Sequence, residues 1–374
     1  MNGIPSGDAR RLPLAPSLIL SAALAFFMVF CAIPEVIFCR YMVVLVFVLL
    51  LFVAVRSRLV TALSILPCMM AFLAAESSPS FALLLCAVAV IGYGGFAITA
   101  VHPILVIATP VAAYLLGFAI TANPMRALFS LTLVPFAVVA AVSLRLRLSR
   151  TASVAAVSTA LVIGFLALVV LSVIVGGGSL SADTLRAFVL YAKELLTQSL
   201  TPLTEVTELS AIFGVTAETV SATVNSILRL SPTMLIVPIE ILSYLACLIA
   251  ITLRGSQFPD EELPARCRLF RMSAPSAVLF LVSFALSLLP AGRSDAFGIF
   301  LVSALNLALI LMPGLALCGA IQIFVSFRKK RSLPPLLLII LCLWFSSLLP
   351  MILACVGAFG ILRTEKAWQK NQQP

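Results

Sequence analysis

"ASVAAVSTALVIGFLALVVLSVIV", residues 152–175, carries no charged side chain, and "GGGSLSAD" at 176–183 closes it. As an α-helix it reaches about 36 Å, more than the roughly 30 Å hydrocarbon thickness of a bilayer. Nothing along it offers water a face, so it reads as a membrane span. The same pattern recurs in both directions. Further apolar runs lie at 16–38, 41–55, 59–75, 79–100, 103–121, 125–144, 233–253, 273–290, 296–327 and 333–361. The expected fold class is all-α: a polytopic transmembrane helical bundle of about ten to twelve spans. Two runs leave that count open. Pro313 in "MPG" at 312–314 is expected to kink the overlong 296–327 run, and Pro350 to split 333–361 into two short passes.

Composition agrees. Hydrophobic residues make up 62% of the chain and charged ones 10%, with a mean hydropathy of +1.20. A soluble domain has about 45–50% apolar residues and about 25% charged. The net charge of +10 is gathered in short clusters between the apolar runs: Arg10 and Arg11, Arg56 and Arg58, Arg145 to Arg150, Arg254 to Arg271, and "RKKR" at 328–331. Basic residues in short loops mark the cytoplasmic side and face anionic headgroups. Simple alternation puts these clusters on one side with the N-terminus, which is expected to be cytoplasmic. A nucleic-acid reading would need a basic face on a soluble element, and the clusters do not form one.

The segment 176–231 departs from this pattern and is expected outside the membrane, on the extracytoplasmic side, as an amphipathic helical segment. Leu185, Phe188, Val189, Ala192, Leu195 and Leu196 form one apolar stripe, and Val220, Val224, Ile227 and Leu228 a second. Thr201 before Pro202 is expected to cap a helix. Such a pair lies along the interface, caps the bundle, or serves as a lid or docking surface. The chain therefore divides into an N-terminal transmembrane bundle (1–150), a connecting span (151–175), extracytoplasmic amphipathic helices (176–231) and a C-terminal transmembrane bundle (232–374).

Catalytic chemistry has little material here. There is no G-x-x-x-x-G-K-[ST], H-E-x-x-H or G-x-S-x-G motif. One histidine and nine scattered cysteines with no C-x-x-C pair point to no metal site and no cofactor. The chain is expected to be non-enzymatic, with no catalytic residues.

Two polar groups at membrane depth stand out as ligand-binding candidates. Glu240, in "PTMLIVPIEILSYLACLIA" at 232–250, follows Pro238, which removes a helical hydrogen bond beside it. A charge at the centre of a span costs about 2.5–3.5 kcal/mol on insertion scales, so Glu240 faces the interior or a wet cavity. It is either a structural carboxyl near the outer interface or a group that binds a ligand or carries a proton. Asn306, in "VSALNLALILMPG", is either interhelical glue or a ligand contact. Ser17, Ser21 and Ala25 in the first span form a small-xxx-small face for helix packing or partner contact. Glu35 and Glu76 belong near outer span ends. His102 is a loop residue or a pH-sensitive group. "GYGG" at 92–95 permits close helix contact.

The order of features in the last third carries a family resemblance. "IAITLRG" (249–255) ends a span and a short charged loop follows. Then come "MSAPSAVLF" (272–280), the Asn-bearing "NLALILMPGLALCGAIQIF" (306–324), a basic loop, and a last run ending in "VGAFGILRTEK" (356–366). This resembles the YybS-like family of uncharacterised bacterial membrane proteins. The resemblance implies a bacterial cytoplasmic (inner) membrane location. It also implies an N-terminal bundle similar to the substrate-binding S components of energy-coupling-factor transporters. Those components meet a separate coupling protein through a small-residue face on the first helix, here Ser17, Ser21 and Ala25. The expected function is a transporter-like protein in the lipid bilayer that binds a small molecule or lipid. The alternative is a scaffold for an envelope, division or sporulation complex, with envelope proteins as partners. An intramembrane lipid-modifying enzyme ranks behind both.

Overall fold

Prolines set many of the helix starts, since a ring at the first helical turn removes an N–H that would have no partner there anyway. Pro103, Pro124, Pro135 and Pro275 all occupy such positions. The computed structural model describes residues 11–32, 40–55, 79–175, 181–200, 217–289 (apart from 262, 263, 265, 266, 268 and 269), 295–330 and 349–370. Within them every regular element is helical, so the chain is an all-α polytopic bundle. Five stretches are long and apolar enough to cross a bilayer: Pro103–Thr121, Pro124–Arg145, Arg150–Leu171, Ser231–Gln257 and Phe297–Val325. Shorter apolar helices accompany them at Leu14–Val29, Ala87–Ala100, Ala274–Ser287 and Leu349–Thr364. The run at 59–75, the cap at Thr201–Pro202, and Glu35 and Glu76 lie outside the described residues.

The chain divides into two compact units, residues 1–161 with 239–270, and residues 162–238 with 271–374. The sequence-based segments run differently, because 239–270 clusters with the N-terminal helices rather than with 271–374.

In the first unit, α1 (Leu14–Ala32) packs on α2 (Arg40–Val55), α3 (Pro79–Ala100) and α4 (Pro103–Thr121). Its core is aromatic: the Phe27 and Phe47 rings stack at 4.1 Å, and Tyr93 meets Phe47 edge-on at 6.0 Å. The α4 helix closes on Ala122, which has a left-handed φ of 49°. Asn123 then caps the short α5 (Pro124–Leu128), its Oδ1 accepting from the Met125 and Arg126 N–H groups at 2.9 and 3.2 Å. The stretch expected as one helix over 125–144 is jointed. After α5 comes a 3-10 turn, Phe129–Leu131, and only then α6 (Val134–Arg145). Pro135 is the physical reason, because its ring would clash with the carbonyl one turn back in a continuous helix. The tightest seam in the unit joins α3 to α6. A Cβ on Gly95 would stand 2.9 Å from Ala140 Cβ, and one on Gly94 3.0 Å from Ala137 Cβ. On its other side α3 meets residues 239–257, where a Cβ on Gly92 would lie 3.0 Å from the Ala246 carbonyl oxygen. "GYGG" is thus a packing element that brings two neighbours up to one helix.

α7 (Arg150–Val175) follows, and the second unit takes over from Val162. Its amphipathic pair, α8 (Ala182–Leu200) and α9 (Ala217–Arg229), packs together. Val220 and Val224 are buried on the expected stripe. α10 (Ser231–Gln257) belongs to the second unit up to Pro238 and to the first beyond it. The remaining helices are α11 (Ala274–Ser287), α12 (Asp295–Lys330) and α13 (Leu349–Lys370), packed on one another. α12 runs through Pro313, where the sequence placed a proline kink, as a single helix of 36 residues. α13 is described from Leu349 onward and includes Pro350. The first half of the 333–361 run lies outside the described residues.

Candidate functional site

Four helices of the first unit enclose a cleft because their seams are unequal. α6 is drawn tightly onto α3, and α4 is held mainly by α1 and the short α5 turn. No comparable seam among the described residues joins α4 to α6. The space left between them is a cavity of about 280 Å³. Leu24 and Met28 of α1, Val90 and Ala97 of α3, and Ala137 of α6 form its buried floor. Ile107 of α4 and Val138 of α6 form the rim and are 68% and 42% exposed. The lining is hydrocarbon apart from the Met28 thioether and the Ser21 and Thr109 hydroxyls. Thr109 already donates to the Leu105 carbonyl at 2.7 Å. The cleft therefore offers mainly dispersion and burial, with little directional chemistry.

A basic face closes one end of this unit. The Leu12 N–H donates to the Ala100 carbonyl at 2.8 Å, which brings the entry to α1 beside the end of α3. Arg145, at the end of α6, donates to the Ile98 carbonyl at 3.2 Å. Arg147 terminates α6 in the left-handed region with φ 50°, and the Leu148 N–H returns to the Ser143 carbonyl at 3.1 Å. A non-glycine residue there costs about 1 kcal/mol. Two contacts hold it in place: Cys267 Sγ donates to its carbonyl at 3.4 Å, and its guanidinium lies 3.6 Å from Glu261. Glu261 also accepts two hydrogen bonds from Arg254, at 3.0 and 3.1 Å. Arg254 is only 9% exposed in its side chain and stacks over Phe258 at 5.7 Å. Deeper in, Arg150 lies 4.7 Å over the Tyr244 ring. Three clusters that are separate in sequence, at the N-terminus, 145–150 and 254–267, thus share one end of the unit.

The residues singled out in the sequence fall in different places. Ser17, Ser21 and Ala25 are all buried within the first unit, so this face is used for internal packing. Ser21 also lines the cleft, and Ser17 donates to the Leu12 carbonyl at 3.2 Å. Glu240 belongs to the first unit, is half-buried, and accepts no hydrogen bond from any described residue. Asn306 belongs to the second unit and is buried and fully engaged. Its Oδ1 accepts from Thr233 at 2.6 Å, and its Nδ2 donates to the Arg229 and Val302 carbonyls at 2.9 and 3.1 Å. It fastens α12 to the α9–α10 junction. Neither Glu240 nor Asn306 lines the cleft. His102 is exposed and caps α4, its Nδ1 accepting from the Ile104 N–H at 3.4 Å. Sequence reading missed the cleft itself, since Val90, Ala97 and Val138 look like any other span residues. It also missed Thr233 as the partner of Asn306; a hydroxyl two residues after the Ser231 helix start gave no signal of its own.

No curated protein and no solved structure matches the chain. A family model described as a predicted membrane protein does match, over residues 72–362, from beyond the second span to the last helix. With its apolar helices, its jointed bundle and its basic end, the chain belongs to that family, DUF2232, as a multi-pass membrane protein.

Proposed function

We propose that this is a non-enzymatic, transporter-like membrane protein that binds an apolar small molecule or lipid in the cleft between α1, α3, α4 and α6. The observation that carries this reading is the cavity of about 280 Å³, lined mostly by hydrocarbon and open at an exposed rim. Its size is near the lower end of ligand pockets, about 300–1,000 Å³. The finer reading follows the YybS-like resemblance. The N-terminal bundle is S-component-like, the basic face is cytoplasmic in a bacterial inner membrane, and the 176–231 helices lie outside. The burial of Ser17, Ser21 and Ala25 favours their role in helix packing over partner contact. Glu240 is the polar group kept for a ligand or proton role, because its carboxylate is not taken up by a described neighbour.

The test is purification of the full chain in mild detergent, with mass spectrometry of every molecule retained and thermal unfolding with and without it. A ligand at one hundred times its Kd stabilises by about 2.7 kcal/mol. Val138→Trp, which places an indole at the rim, is expected to release the ligand and abolish the shift without unfolding the chain. A protein that retains nothing, and whose unfolding Val138→Trp leaves unaltered, refutes the reading.

A second reading, a scaffold for an envelope complex, is favoured by one observation. α8 exposes the consecutive apolar residues Val189, Leu190 and Tyr191 on an amphipathic helix. It predicts co-purifying envelope proteins that are lost when these three become serine.

A further inference from the structure

We propose that the occupant of the cleft is one acyl chain of an anionic phospholipid, taken sideways from the leaflet at the basic face, with its phosphate held at Arg11 and Arg145. This rests on the cleft being a ligand site at all.

Shape argues for a chain. The lining residues of α3 and the residue after it run from Val90 to Val101, about 16 Å at the helical rise. A volume of about 280 Å³ spread over that length makes a column roughly as wide as one hydrocarbon chain in van der Waals contact. A compact polar metabolite would find no partners along it, and each unpaired polar group buried there would cost about 1–3 kcal/mol.

Access argues for a lipid. The rim residues Ile107 and Val138 stand on helices that cross the bilayer, and Ile104, Val111 and Leu115 continue the exposed apolar face of α4. The gap between α4 and α6 thus opens onto hydrocarbon, and a chain can enter without leaving an apolar medium.

Charge argues for an anionic headgroup. The lower end of the column is at Ile98 and Val101. Arg145 is bonded to the carbonyl of that same Ile98, and Arg11 precedes Leu12, which is bonded to Ala100. Both arginines are exposed. A guanidinium has five donors, and Arg145 gives one to Ile98, leaving the rest of its fork for phosphate oxygens.

The experiment reconstitutes the full chain in phosphatidylcholine nanodiscs with a minor fraction of photoreactive lipid, labelled at the chain end. The probe is either phosphatidylglycerol or phosphatidylcholine. Phosphatidylglycerol is expected to label the deep end of the cleft, at Met28 and Val90, and Arg145→Gln to lower that labelling about fivefold, the factor for one basic contact at an anionic surface. Val138→Trp is expected to remove deep labelling by both lipids. Equal labelling by both lipids in the unaltered protein, or labelling indifferent to Arg145→Gln, overturns the headgroup assignment. Displacement by an equimolar free fatty acid also overturns it, in favour of free acids. If Met28 and Val90 stay unlabelled while another molecule co-purifies, the acyl chain is wrong and the ligand site stands. If nothing labels and nothing co-purifies, both readings fall.

Discussion

The two units handle the same problem, helices with no water to bury their faces from, in opposite ways. In the second unit α12 and α13 meet backbone to backbone: a Cβ on Gly319 would overlap the Leu353 carbonyl, and one on Gly357 the Leu315 carbonyl. Gly360 is similarly filled by the Gln322 side chain. Polar groups there are spent on clamping, as Thr233 and Asn306 do for α10 and α12. In the first unit the closest glycine contacts lie on one helix, α3, where Gly94 and Gly95 bring α6 in while α4 stays off α6. Lipid is as apolar as any helix surface, so association depends on packing and hydrogen bonds rather than on hydrophobic burial. Where backbones meet, as between α12 and α13, the seam leaves no room. Where α4 stands off α6, a cleft remains.

That contrast breaks most sharply at the glycines. Gly357→Leu is expected to destabilise the second unit by about 3 kcal/mol or more, because the obstructing atoms are backbone and cannot turn aside. Thermal unfolding in detergent with near-native behaviour would show that the seam is looser than described. Next comes the clamp at the basic face. Arg254→Gln removes both hydrogen bonds to Glu261 and is expected to cost about 2 kcal/mol. Glu261→Gln should fall within about half a kcal/mol of it in a double-mutant cycle, as residues of one network do not add. Full additivity would dissolve the pair. Asn306→Ala is expected to lose about 1 kcal/mol, and Thr233→Ala less, with measurable coupling between them. The smallest effect carries the opposite sign. Ala97→Leu adds bulk inside the cleft and is expected to be neutral or to raise stability by about 0.5 kcal/mol while blocking ligand retention. A large loss of stability there would mean that the first unit has no spare room, and the comparison between the units would collapse.

Much of this architecture was legible in the chain. Residues 103–121 and 152–175 read as spans because no charge interrupts them, and the helices follow. Val220 and Val224 announced their buried stripe by spacing alone. Proline was less readable. Pro135 joints the expected 125–144 helix, whereas Pro313 leaves α12 unbroken. One proline starts a helix and the other lies within one, and local sequence does not separate the two. Among the candidate residues, Asn306 could be recognised as polar at depth, but not as saturated. Its three partners come from residues 229, 233 and 302.

Composition and periodicity by themselves determined that this chain is helical, that it crosses the membrane many times, and where its positive charge lies. Those properties follow from each residue's own transfer free energy and from the helical repeat, which act locally. Only the tertiary structure decided that residues 239–270 join the N-terminal helices, that the Ser17 face is internal, and that an apolar cleft remains between α4 and α6. A void is a property of several helices at once. Its walls are the same Val, Ala and Leu as the rest of every span, and only the distances between those walls distinguish it.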